Sequence, residues 1–143
     1  TGAPAEVSSN KIALSEGPEH EVKMLNSGAD GIMVFEPAVI KISKGDTVNF
    51  RAVDMSHNSA SLDGMIPAGA ESWNGALSQD ISITFTEEGV YVYQCTPHAM
   101  MAMVGVIQVG EAINLDTVKA EASQKKSIFV SNTDRLDEYL SRL

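Results

Sequence analysis

The sequence predicts an all-β fold, a sandwich or barrel of about eight short strands with two short C-terminal α-helices. Runs of four to seven residues alternate apolar and polar with period two, and Gly, Pro, Asn and Asp cluster between them. Beyond Gly110 the apolar spacing changes to that of a helix, which predicts the tail.

Residues 1–20 read as an N-terminal arm, laid over the domain or loosely ordered, and residues 21–143 as a single domain. The chain opens Thr1-Gly2-Ala3-Pro4 without an initiator Met, a basic segment or an apolar leader, so an export leader has been removed or the chain trimmed. From Glu21 the β pattern begins with Val22-Lys23-Met24, and Val39-Ile40-Lys41-Ile42 follows Pro37. Lys44-Gly45-Asp46 turns the chain into Val48-Asn49-Phe50-Arg51. Ile81-Ser82-Ile83-Thr84-Phe85 is the clearest half-buried strand, and Glu87-Glu88-Gly89 turns it into Val90-Tyr91-Val92-Tyr93-Gln94-Cys95. A last strand runs from Met103 to Val109. Asn114 is positioned to cap a helix over about 114–122, and Leu136, Tyr139, Leu140 and Leu143 mark a second over about 133–142. Helices this short need the sandwich for support.

Composition narrows the function. The chain has 143 residues, 43% of them hydrophobic, with a formal charge of −9. Such an acidic balance excludes a nucleic-acid binder, which needs clustered cations. No apolar run approaches the ~18 residues of a membrane span. With 1 Cys there is no internal disulfide, so the neighbours of Cys95 decide what the thiol does.

Those neighbours are informative. Gln94-Cys95-Thr96-Pro97-His98-Ala99-Met100-Met101-Ala102-Met103-Val104 puts a thiol, an imidazole and thioethers in one loop between predicted strands. Upstream, His57 sits in Asp54-Met55-Ser56-His57-Asn58, just past another strand. A sandwich that brings these two loops together gathers two His, one Cys and one Met at one end. Imidazole and thiolate with a weak axial thioether match a blue-copper site, whereas structural zinc wants four strong donors. Each residue alone has a plainer reading. A single strand-end Cys is commonly a buried hydrophobe, Met55, Met100, Met101 and Met103 are soft core filling, and His57 is a surface residue. Jointly, a Cys-x-x-His-x-x-x-x-Met run with an upstream His is hard to obtain by chance, and the metal reading prevails. His20 has no such company and reads as a solvated residue of the arm. A thiol nucleophile lacks an oriented third member, and no phosphate loop, Cys-x-x-Cys, haem motif or acid–base carboxylate pair is present.

The chain resembles the pseudoazurins, cupredoxins of bacterial periplasms. The resemblance is carried by Met24-Leu25-Asn26-Ser27-Gly28, by Met33 to Ala38, by Gly45-Asp46-Thr47-Val48, by His57-Asn58, by Met65-Ile66-Pro67 and by Cys95 to Val104. It covers the chain from about Glu21 to the C-terminus and implies a cupredoxin-like Greek-key β-sandwich. It further implies one type 1 copper ion, Cu(I)/Cu(II), held by His57 and His98 through Nδ1, by Cys95, and by Met103 as axial ligand. The family spacing selects Met103 over Met100 and Met101. Asn58, Met33, Thr96 and Pro97 match residues around the ligands: Met33 lies against the exposed His, while Asn58 reaches the Cys sulfur and ties the ligand loops. Electrons enter through His98, with Pro97, Ala99 and Met100 as an apolar docking rim.

The implied function is a periplasmic, monomeric, mobile one-electron carrier, not an enzyme, that docks transiently with a redox partner such as nitrite reductase. The alternatives are copper delivery without redox cycling, or a carrier for a different dehydrogenase. With 3 His in all, a nitrite reductase module with a further copper centre is excluded. The chain also departs from the family. Its arm is longer, and Ser27, Met55, Ser72 and Gln94 stand where the docking lysines are expected.

Overall fold

The computed structural model describes residues 11–143. Among the described residues eight strands form two sheets: β1 (Glu19–Gly28), β2 (Gly31–Glu36), β3 (Val39–Ile42), β4 (Thr47–Arg51), β5 (Ala60–Ser61), β6 (Ile81–Thr84), β7 (Gly89–Gln94) and β8 (Val104–Val109). One sheet has the order β2-β1-β4-β6 and the other β3-β8-β7-β5. The β1–β4 and β3–β8 pairs are parallel and the rest antiparallel, so the chain crosses repeatedly between sheets, as a Greek-key sandwich requires. α1 (Leu115–Lys125) and α2 (Arg135–Leu140) follow. Among the described residues no helix is long and apolar enough to cross a membrane.

Two apolar layers explain the strand patterns. Between the sheets lie Val22, Met24, Phe35, Phe50, Trp73, Phe85, Tyr93 and Ile107, together with Cys95 and Met103. Outside the second sheet, Val90, Val92, Val104 and Val106 pack with Val118, Ala122, Phe129, Leu136, Tyr139 and Leu140 from the tail. β8 is therefore buried at every residue, while β4 keeps the alternation of a strand with one covered face. Gly105 lets β7 and β8 close up, because a Cβ there would overlap the Tyr93 ring.

β2 and β5 were not expected as strands. β5 is two residues long, too short to carry a pattern. In β2 the alternation is broken because Met33 adopts φ 52°, which disrupts the pleat. Both helices lie where expected, with different bounds. Asn114 precedes α1 without capping it, since its amide instead accepts from Val90 N–H at 2.6 Å and donates to Val90 C=O at 3.0 Å. The side chain pins the helix entry to β7.

The placement of His20 is a correction. It is not a solvated arm residue but lies in β1, buried, with Nε2 2.9 Å from Asp46 Oδ2 and Nδ1 3.0 Å from Ser15 Oγ. One periodic position in β1 faces inward there, and the partner that makes an imidazole tolerable is 26 residues away. Of the expected arm, residues 1–10 lie outside the described residues. Ser15 N–H donates to Lys41 C=O at 2.8 Å and Ile12 N–H to Arg142 C=O at 2.7 Å, so this segment is laid along β3.

Candidate metal centre

The two ligand loops are built separately and locked together. The first leaves β4 and carries His57, fully buried, with Asn58 and Ser59 also buried. Its shape is held by Ser78, whose Oγ accepts from Ser56 N–H at 2.8 Å and whose N–H donates to His57 C=O at 2.8 Å. The second begins at Cys95 and continues as a 3-10 turn, Thr96–Met101, whose start Pro97 favours by its fixed φ. The turn closes at Ala102, which adopts the left-handed φ of 57°.

Hydrogen bonds within this loop bring its ends together. His98 N–H donates to Cys95 C=O at 3.1 Å, Met103 N–H to His98 C=O at 3.3 Å, and Cys95 N–H to Met103 C=O at 2.9 Å. Cys95, His98 and Met103 thus form one compact backbone unit. Asn58 locks the two loops: its Oδ1 accepts from Thr96 N–H at 2.7 Å, while Nδ2 donates to Gly75 C=O at 3.0 Å and Thr96 Oγ1 at 3.3 Å. Its own backbone N–H is directed at the Cys95 sulfur.

The donor atoms converge. One ligand atom each from His57, Cys95 and His98 lies within 4.8 Å of the others. Cys95 Sγ is 3.5 Å from His57 Nδ1 and 3.3 Å from His98 Nδ1. His57 Nε2 is 2.7 Å from Asn26 Oδ1, and an amide oxygen only accepts, so Nε2 carries the proton and Nδ1 presents its lone pair to the site. Asn26 is itself fixed, its N–H donating to Asp54 Oδ2 at 2.7 Å.

The electrostatics suit a metal better than three free groups. Burial pushes the Cys95 thiol up, against the pull of N–H groups from Asn58 and His98. Burial also pushes His57 down, as does the neighbouring His98, so its imidazole is held neutral and ready to coordinate. Two imidazole nitrogens and a thiol that ionises on metal uptake form a soft cluster that fits copper.

The other residues singled out in the sequence separate by exposure. Met103 is fully buried beside Cys95 in the inter-sheet core, Met101 is half-buried, and Met100 is 60% exposed. Thr96 and Pro97 are exposed, while His98 and Ala99 are half-buried. Met33 is half-buried against the inter-sheet core, and its carbonyl accepts from Arg135. Two residues at this end carried no role in the sequence reading. Asn26 stood in a quoted motif, but its bond to His57 spans 31 residues; Arg135 carried no signal beyond lying within the predicted second helix.

Comparison with known proteins agrees. Residues 22–110 match the family described as copper binding proteins, plastocyanin/azurin family. A pseudoazurin of Paracoccus pantotrophus is 42% identical over 125 residues, 87% of this chain and 83% of that one. The structure of a pseudoazurin from Sinorhizobium aligns with TM-score 0.69 and 47% identity, over 77% of this chain and 93% of the other. That of the pseudoazurin from Methylobacterium extorquens AM1 aligns with TM-score 0.76 and 37% identity, over 87% and 98%. With a His–Cys–His cluster on this sandwich and relatives matched over most of its length, the chain belongs to the pseudoazurins, copper proteins of the plastocyanin/azurin family of electron carriers.

Proposed function

We propose that His57, Cys95, His98 and Met103 hold one copper ion, and that the protein is a mobile periplasmic one-electron carrier rather than an enzyme. The convergence of both Nδ1 atoms on the Cys95 sulfur, with His57 oriented by Asn26, supports this most strongly. Copper, when bound, supplies the Cu(I)/Cu(II) couple. The chain supplies rigidity: Asn58 ties the loops, so the donors need not move when the charge changes. His57 is sealed from solvent while His98 is half-exposed, which makes His98 the natural port for electrons. Pro97 and Met100 surround it with uncharged, exposed surface, suited to brief encounters of small area.

The partner we propose is a reductase such as nitrite reductase, docked through this apolar rim. Substoichiometric protein should shuttle electrons from a one-electron donor to nitrite reductase over many turnovers. A protein that instead delivered copper would lose its metal and stop. With a reductase whose docking face is acidic, the rate should stay level or rise as salt is added, because a chain of charge −9 without the docking lysines is not drawn to that face. A steep fall in rate with salt would contradict the apolar docking reading.

A further inference from the structure

We infer that Arg135 is a positioning residue of the metal centre: its guanidinium holds the Met33 and Ala102 carbonyls, and with them the backbone that presents Met103 to Cys95 and His98. The inference rests on the ligand reading proposed above.

Arg135 opens α2 and is 9% exposed, yet among the described residues it makes no salt bridge. Its donors go instead to four backbone carbonyls. Nη1 reaches Met33 at 2.9 Å and Ala102 at 3.3 Å, and Nη2 reaches Ile32 at 3.1 Å and Asp30 at 3.4 Å. A buried cation is costly unless its protons are satisfied, and a cation in the first turn of a helix also opposes the helix dipole. Anchoring α2 does not explain this placement, because Leu136, Tyr139 and Leu140 already bury its apolar side.

The carbonyls themselves indicate the role. Met33 (φ 52°) and Ala102 (φ 57°) are both non-glycine residues in the left-handed region. Such conformations persist where surrounding bonds over-determine them. Here one guanidinium bonds to both. Ala102 immediately precedes Met103, whose N–H and C=O bond to His98 and Cys95. Any relaxation at Ala102 therefore moves Met103 relative to the other donors. Arg135 joins this loop to β2 from the far end of the sequence, with 102 residues separating it from Met33.

The test compares copper-loaded wild type with Arg135→Met, Arg135→Lys and the control Arg142→Met. Lysine keeps the charge but cannot fork over carbonyls of two segments. Arg142 pairs with Glu138 and lies over the Tyr139 ring, on the turn after α2, and touches no ligand-loop atom through its hydrogen bonds. Both Arg135 variants should change the ratio of the visible thiolate bands, the EPR hyperfine splitting and the reduction potential. Exchange at the Met103 amide should quicken by about tenfold or more. Arg142→Met should lower the melting temperature and leave all four readouts as in wild type. If Arg135→Met lowers only the melting temperature, Arg135 merely anchors the helix and the inference fails. Should that variant not fold, a wild-type spectrum in Arg135→Lys overturns the inference equally. A wild type without a type 1 signal overturns the ligand reading, and this inference with it; a normal wild type with silent variants overturns this inference alone.

Discussion

Asn26 and Asn58 bracket His57, one fixing its outer nitrogen and the other tying its loop to the loop that carries the thiol. Neither needs to touch a metal to determine where the donors point. The methionines show how much residue-level detail burial adds. Three methionines share the loop, the family spacing selects Met103 over Met100 and Met101, and only Met103 is fully enclosed beside Cys95. Met103→Leu should retain copper, raise the reduction potential and shift the visible spectrum if Met103 is the weak thioether donor proposed above. Met101→Leu should move both far less, which voltammetry and absorption will measure; equal shifts would reassign the axial position. The candidate ligands were legible because three of them sit in one short run with distinctive chemistry. Asn26 and Arg135 were not, since their contacts cross 31 and 102 residues that local patterns do not link.

Strands were read well where one face is wet and poorly where local geometry breaks the period. β6 keeps its alternation, whereas Met33 interrupts that of β2 with a left-handed residue. The start of β1 was hidden for a different reason, a buried His–Asp pair that resembles solvated polar sequence. That pair makes a prediction. Burial raises the Asp46 carboxyl, but bonds from His20 and from Ser43 N–H, with the His20 field, more than offset it and hold the carboxyl below its ordinary 3.8. A carboxyl depressed by folding stabilises above its unfolded value, and that stabilisation is lost as pH falls through the folded value. Asp46→Asn should therefore melt lower than wild type at neutral pH, and the gap should close on acidification below about pH 5. Melting curves that stay parallel down to acid would show that the carboxylate charge contributes nothing there.

For the whole molecule, sheet topology places Lys41 and Lys44 away from the metal end. β3 runs parallel to β8, which leaves the ligand loop, so Lys41 pairs with Gln108 and Lys44 follows in the turn at the opposite end. Near the ligand loops, Ser27, Met55 and Ser72 are exposed and uncharged, with Met55 71% exposed. The fold class, six of the eight described strands and both helices were legible because pattern and turn chemistry agree along most of the chain. The crossing of strands between sheets was not, because it is fixed by contacts no single segment contains. The most direct measurement is the absorption and EPR spectrum of the copper-loaded protein beside that of Cys95→Ser. Wild type should be intensely blue with the small hyperfine splitting of a type 1 centre, and Cys95→Ser should be colourless with an intact fold. Copper bound by wild type with only weak colour and an ordinary EPR signal, or a blue band that survives Cys95→Ser, would contradict a thiolate–copper carrier.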